Sequence, residues 1–393
     1  METVNTKHDT GIYECSGCKR EIFDGNILYE AFLKSKRGSD WKGSVQKFEM
    51  SYLFRLAKMQ KDLKEESYKF SKGNTFTIHE RGKVRKITGE VIEDRIVKHA
   101  LCDNAINPCI KKYMIHDNGA SQEEKGISFT RRRLEQHLHQ YYRKHGTNEG
   151  YILLVDFKKY YDNVRHDVVK EMMGRYMDSS FCYSLLCSVL RHESDGRGEG
   201  KGVNIGNQVA QSVGISYRIP VDNYVKIVKG VKFYGAYMDD CYAIHKSKEF
   251  LRELLQGIIE ASDRIGISVN TKKTRICKLS ESWRFLQIQY SLTNTGRVIH
   301  KINPKRLTSM RRKMKKIAYK LSEKEMGDFY KSWMNNYCRY MSRKQRENMD
   351  KSLKELKGEK NVSKTGKESA VSPAGRYQRG RTEKRRVQGI RRE

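Results

Sequence analysis

At 393 residues and 37% hydrophobic content, the chain is long enough for two or three domains with their own cores and too apolar to be disordered throughout. Lysine and arginine number 79 against 47 acids, a net charge of +32 that suits a polyanionic partner and excludes an acidic, solvating chain. No stretch approaches the roughly 20 apolar residues of a membrane helix, no apolar signal core opens the sequence, and the nine cysteines are scattered through apolar runs, so a reduced cytoplasmic protein without a disulfide framework is expected.

Residues 1–70 include Cys15-Ser16-Gly17-Cys18 near His8, half of a tetrahedral zinc site; no second close pair completes four ligands, which makes a plain turn the simpler reading. Phe48, Leu53, Leu56, Ala57 and Met59 predict an amphipathic helix over Val45–Leu63, within an N-terminal helical extension. Residues 71–149 open with a strand-turn-strand pattern about Gly82 that carries Lys83 and Arg85. A helix over Phe129–Tyr142 follows, with an apolar face of Leu134, His137, Leu138 and Tyr141 flanked by Arg131, Arg132 and Arg133.

Tyr151–Val155 is an unbroken apolar run, the pattern of a strand covered on both faces, and Asp156 stands where it emerges. The glycine-rich, charged link from Glu193 to Gly200 predicts a mobile loop. Val231–Ala236 and Cys241–His245 are β-favouring runs around Tyr237-Met238-Asp239-Asp240, predicting a hairpin with two acids at its tip. A helix over Lys248–Ile265 comes next. Over Asn303–Leu356 the pattern is helical: Leu307, Met310, Met314, Ile317 and Leu321 make one face, Arg311, Arg312, Lys313, Lys315 and Lys316 the other. Residues 357–393 are rich in Lys, Arg, Ser and Gly, the composition of a disordered basic tail.

Adjacent carboxylates repel each other, and a hairpin tip that holds two of them, with a third at the end of another strand, has the donor chemistry of a divalent-cation site. Phosphoryl transfer uses such carboxylates to hold a pair of cations. The order of segments resembles the reverse transcriptases across roughly residues 20 to 345. Asp156 resembles the aspartate of the first palm motif and Tyr237–Asp240 the Tyr-x-Asp-Asp box. Gly202–Gln211 resembles the template and nucleotide loop, Gly266–Thr274 the following lysine motif, and Trp283–Tyr290 the primer-grip hairpin. Ile78–Ile87 and Asp94–Leu101 resemble fingers motifs of bacterial enzymes.

The resemblance implies an α+β right-hand polymerase, with fingers over 71–149, a palm with an antiparallel sheet over 150–292 and a helical thumb over 293–356. It implies an RNA-directed DNA polymerase using two Mg2+ ions, Mn2+ being a substitute, held by Asp156, Asp239, Asp240 and the Phe157 carbonyl. Lys83, Arg85, Tyr161, Gly206 and Gln211 are the implied nucleotide contacts, with Tyr161 closing off the 2′-hydroxyl. Lys273 is the implied catalytic partner of the leaving pyrophosphate, and Arg311, Arg312 and Lys315 are implied contacts to nucleic acid. An RNA template and DNA product are the implied partners, with a cognate non-coding RNA or accessory protein beside them.

Ile205-Gly206 stands where many family members have Gln-Gly, Ala210-Gln211 where many have Ser-Pro or Ser-Gln, and Gln287 where glycine is usual. These departures resemble stand-alone bacterial groups, those of diversity-generating retroelements and of phage defence alike. A template-independent or protein-primed DNA polymerase would keep the same three acids, and a catalytically silent RNA-binding or splicing factor would tolerate their loss.

Overall fold

A computed structural model of the chain describes residues 24–368 except 81–82, 178–179, 194–199 and 205. Within them the chain divides into two compact units, one of residues up to Leu134 together with Tyr151–Ile276, the other of Glu135–Gly150 and residues from Cys277 onward. His8, Cys15 and Cys18 lie outside the described residues, as does the tail beyond Glu368.

The first unit opens with α1 (Gly25–Lys36), α2 (Gly43–Glu49) and α3 (Tyr52–Lys64). The single helix expected over Val45–Leu63 is therefore two. Ser51, at φ −131°, leaves the helical region between them and resets the phase. Val45, Phe48, Leu56, Met59 and Leu63 are buried, whereas Leu53 is 67% exposed. β1 (Asn74–Glu80) and β2 (Lys83–Gly89) form an antiparallel hairpin in which Glu80 pairs with Lys83. α4 (Ile92–Leu101), α5 (Asn107–Lys111) and α6 (Ile127–His145) follow, α6 passing from the first unit into the second. Its flanking cations are not all solvated: Arg131 is buried, and Arg133 pairs with Asp117 at 2.6 Å.

β3 (Tyr151–Asp156), α7 (His166–Tyr176), α8 (Ser180–Glu193), α9 (Gln208–Tyr217), α10 (Ile219–Asn223), β4 (Tyr234–Tyr237), β5 (Asp240–His245) and α11 (Lys248–Arg264) follow in this unit, and β6 (Arg275–Lys278) runs from its last residues into the second. The sheet order is β4-β5-β3-β6, with β5 antiparallel to both neighbours. All four middle residues of β3 and of β5 are buried, on both faces of the sheet, which is why both strands read as apolar runs without alternation. Leu251, Leu254 and Ile258 of α11 join Leu153, Val155 and Ala243 in the core. Ser247 caps α11, its Oγ accepting from the Phe250 amide at 3.0 Å. Glu193, expected in a mobile link, is instead the last residue of α8 and is buried against Lys98 at 2.9 Å.

The second unit carries the meander β7 (Trp283–Phe285), β8 (Ile288–Leu292) and β9 (Val298–Ile302), then α12 (Pro304–Ala318), α13 (Glu323–Tyr337) and α14 (Arg343–Glu368). The β7–β8 turn places Leu286 at φ +41° and Gln287 at φ +75°, so both central residues are left-handed, as a two-residue hairpin of this twist requires. Gln287 holds that conformation without glycine, and its Oε1 accepts a hydrogen bond from the Tyr337 hydroxyl at 2.7 Å. Leu307, Met310 and Met314 turn inward from α12. α14 runs to Glu368, beyond Leu356 where the apolar pattern stops, because one glycine at 358 costs a helix only about 1 kcal/mol. Cys102, Cys109, Cys182 and Cys241 are buried cysteines. No described helix is long and apolar enough to cross a membrane.

Candidate active site

The register of the sheet brings the acids to one end of it. Asp156 at the end of β3 is the cross-strand partner of Asp240 at the start of β5, and Asp240 is also the partner of Tyr237 at the end of β4. Met238 and Asp239 are thus the two residues of a tight β4–β5 turn, with Met238 at φ +51°. Such a turn ordinarily has glycine at its first central position.

The crowding of acids raises the proton affinity of the two residues at the turn, Asp239 and Asp240. Burial, then repulsion from Asp239 and Asp156, pushes the Asp240 carboxyl up to about 7. Burial and repulsion from Asp156 raise Asp239 as well. Two cations moderate this. Lys273 Nζ lies 2.9 Å and 3.0 Å from the two oxygens of Asp156, which also accepts from Asn270 Nδ2 at 2.8 Å. Arg218, buried between α9 and α10, donates through Nη1 to the Met238 carbonyl. No three or more His, Cys, Asp or Glu side chains among the described residues are gathered around a single point as ligands. The donor chemistry nevertheless fits a hard divalent cation: the groups are carboxylate oxygens, and the site is short of positive charge, with a lysine resting on one member.

Tyr161 stands in the short turn Tyr160–Asn163 that follows β3, with its hydroxyl 3.2 Å from Met238 Sδ. Burial, with the nearby Asp239 charge, pushes its phenol up to about 12, so the ring stays neutral. Its ring lies against Gly214 of α9, where a Cβ would fall 2.9 Å from Cε1. Phe157 has a buried ring and pairs through its backbone with Val269. Gly206 is at φ +121°, a conformation only glycine adopts without strain. Gln211 lies on the first turn of α9 rather than in a loop, exposed, with Oε1 3.3 Å from the Ser121 hydroxyl. That turn is capped by Asn207, whose Oδ1 accepts from the Ala210 amide at 2.7 Å. Lys83 and Arg85 lie on β2. Arg311, Arg312 and Lys315 belong to α12 in the other unit, where Arg312 and Lys315 are exposed and Arg311 is half-buried.

Sequence reasoning passed over Arg218 and Gly214. Both lie in a segment that reads as plain helix, and nothing in the local pattern marks a guanidinium aimed at a turn 20 residues on or a glycine under a ring.

Residues 72–290 match the family model described as reverse transcriptase (RNA-dependent DNA polymerase). No curated protein matches the chain. Among solved structures the chain is similar to telomerase from Candida albicans in complex with a TWJ fragment of telomeric RNA, at 11% identity over 59% of this chain and 45% of that one, with a TM-score of 0.46. It is also similar to apo telomerase from Candida tropicalis truncated from its C-terminal domain, at 14% identity over 58% and 55% of the two chains, with a TM-score of 0.44. The untruncated apo telomerase of that organism matches at 14% identity over 58% and 47%, with a TM-score of 0.43. This chain spans about half the length of those telomerases.

Proposed function

We propose an activity from one premise: the chain belongs to the reverse transcriptase (RNA-dependent DNA polymerase) family, whose model matches residues 72–290. The fold is accordingly the α+β right hand, its antiparallel sheet forming the palm. The activity is RNA-directed synthesis of DNA: the primer 3′-oxygen bonds to the α-phosphorus of a deoxynucleoside triphosphate, and the bond to pyrophosphate breaks. The observation that carries this reading is the pairing of Asp156 with Asp240 across β3 and β5, beside Asp239 in the turn.

Asp156, Asp239, Asp240 and the Phe157 carbonyl are the residues that would hold two Mg2+ ions. Bound divalent cations acidify the attacking hydroxyl and offset charge on the leaving group. The protein residues do the positioning. Lys83 and Arg85 grip the triphosphate, Gly206 lets the backbone approach the new base pair, and Gln211 lies alongside it. Tyr161 fills the space a 2′-hydroxyl would need. Lys273 relieves charge on the departing pyrophosphate, for which it must leave the Asp156 oxygens that it touches here. Arg311, Arg312 and Lys315 follow the duplex backbone from the thumb. Fingers over 71–149, palm over 150–292 and thumb over 293–356 match these roles. The departures at Ile205, Ala210 and Gln287 favour a stand-alone enzyme of a bacterial or phage retroelement or defence system, copying an RNA of its own element.

Primer extension with purified protein, an RNA template and dNTPs tests the reading. Asp239→Ala with Asp240→Ala should lower synthesis at least about a hundredfold, since removal of one preorganised electrostatic group commonly costs that much. Undiminished synthesis by the double variant would remove these acids from the chemistry. Synthesis by the wild type with RNA omitted would point to a template-independent enzyme.

A further inference from the structure

The turn that carries two of the three acids is held from behind by a residue with no place in the roles above. Resting on the polymerase reading, we infer that Arg218 is a positioning residue for the Met238-Asp239 turn, its guanidinium fixing the backbone from which Asp239 and Asp240 project.

The need for an anchor follows from the turn itself. Met238 is left-handed without being glycine, a conformation that costs about 1 kcal/mol or more and persists only where surroundings impose it. Arg218 is wholly buried at the junction of α9 and α10. Its Nε donates to both oxygens of Asp222, at 3.0 Å and 3.1 Å. Its Nη2 donates to the Tyr234 hydroxyl at 3.2 Å, and that hydroxyl in turn donates to Asp222 at 2.6 Å. Nη1 reaches the Met238 carbonyl and lies 3.5 Å from the Asp240 carbonyl. One rigid fork therefore joins the helix junction, the β4 side chain and both backbone carbonyls that flank Asp239. Its fixed positive charge also opposes the repulsion between the acids.

A lysine cannot reproduce this, because an ammonium is a point charge without the planar fork. The competing interpretation makes Arg218 and Asp222 an ion pair that only holds the helices. The two are separable. Replacement of a buried pair by apolar residues of similar volume is often neutral for stability, so Arg218→Met with Asp222→Leu should fold while removing the anchor. Arg218→Lys keeps the charge for Asp222 and loses the contacts to the turn.

The measurements are Mn2+ binding by electron paramagnetic resonance without nucleotide, kcat and KM for dNTP in primer extension, and thermal unfolding. Both variants should unfold near the wild-type temperature, bind Mn2+ at least about tenfold more weakly and lose kcat by a similar factor, with KM for dNTP little changed. Wild-type Mn2+ affinity and kcat in Arg218→Lys, or in the apolar double variant, would overturn the inference and leave a structural ion pair. Should the wild type bind Mn2+ yet make no DNA, the polymerase reading fails, and the Mn2+ comparison still decides on Arg218.

Discussion

Gly214 offers the ring of Tyr161 only a hydrogen atom, and a methyl group there would lie 2.9 Å from Cε1 and 3.0 Å from the hydroxyl. Gly214→Ala must therefore displace the ring, whereas Tyr161→Ala removes it. If Tyr161 excludes the 2′-hydroxyl, the two substitutions act in opposite senses. Tyr161→Ala should admit ribonucleotides, seen as a fall in the dNTP-to-rNTP ratio of kcat/KM. Gly214→Ala should lower kcat/KM for dNTP by about tenfold, because a small misplacement at a reacting centre is expensive, while rNTP stays excluded. Unchanged discrimination in Tyr161→Ala would take Tyr161 out of this role. The family resemblance singles out this tyrosine, five residues after Asp156. Its support was not legible in the sequence, since a glycine inside α9 reads locally as a weak helix former and nothing more. Arg218 was hidden for a similar reason: sequence patterns record spacing along one element, and its partners Asp222, Tyr234 and Met238 lie on three.

Between elements, a buried ionic cluster joins α4, the end of α8 and the cap of α9. Lys98 Nζ pairs with Glu193 at 2.9 Å and also with Glu90, while Glu193 accepts from Asn207 Nδ2 at 2.5 Å and from the Asn204 amide at 2.9 Å. The cluster thus ties the approach to Gly206 onto two helices. Burial would lower the Lys98 pKa, but the pull of Glu193 and Glu90 outweighs it and leaves it raised. Lys98→Met leaves the buried Glu193 and the partly buried Glu90 without their countercharge, which should cost about 3–5 kcal/mol in denaturant unfolding. The pH dependence gives a second readout. Burial already raises the Glu90 carboxyl above its ordinary 4.5, with Lys98 the main opposing influence. A carboxyl raised in the folded chain contributes stability below its unfolded value and loses it as pH climbs through the folded one. Removal of Lys98 raises that folded value further, so the variant's deficit should be large at neutral pH and shrink as the solution is acidified from there toward 4.5. A deficit independent of pH would mean that Lys98 stabilises by packing alone. The sheet and the β4–β5 hairpin were legible because apolar runs end in acids at both sites. Glu193 was not: a charged residue at the head of a glycine-rich stretch looks solvated until its partner, 95 residues away, is in place. The split between α2 and α3 was missed because Leu53 continued the expected spacing, although the bend at Ser51 had already turned it to solvent.

For the whole chain, the excess of 79 cations over 47 acids sets how it meets a polyanion. Charge of one sign in this amount repels itself, and a nucleic acid backbone relieves that repulsion while releasing its counterions. Affinity for RNA should therefore fall linearly in a plot of log K against log salt, by about 0.7 in slope for each single-strand phosphate neutralised. Total charge alone would make that slope insensitive to where cations are removed. A thumb that follows the backbone makes it sensitive to α12, whose apolar side of Leu307, Met310 and Met314 is buried while Arg312 and Lys315 are exposed. Arg312→Ala with Lys315→Ala should reduce the slope by about 1.4 if each side chain holds one phosphate, without loss of thermal stability, since neither residue is in the core. An equal pair of substitutions at exposed Lys58 and Lys61 of α3 supplies the contrast, with a smaller change expected. Fluorescence anisotropy of a labelled RNA across about 50–200 mM salt measures both. Equal slopes for the two double variants would make the charge a diffuse attraction and remove α12 from the nucleic-acid face.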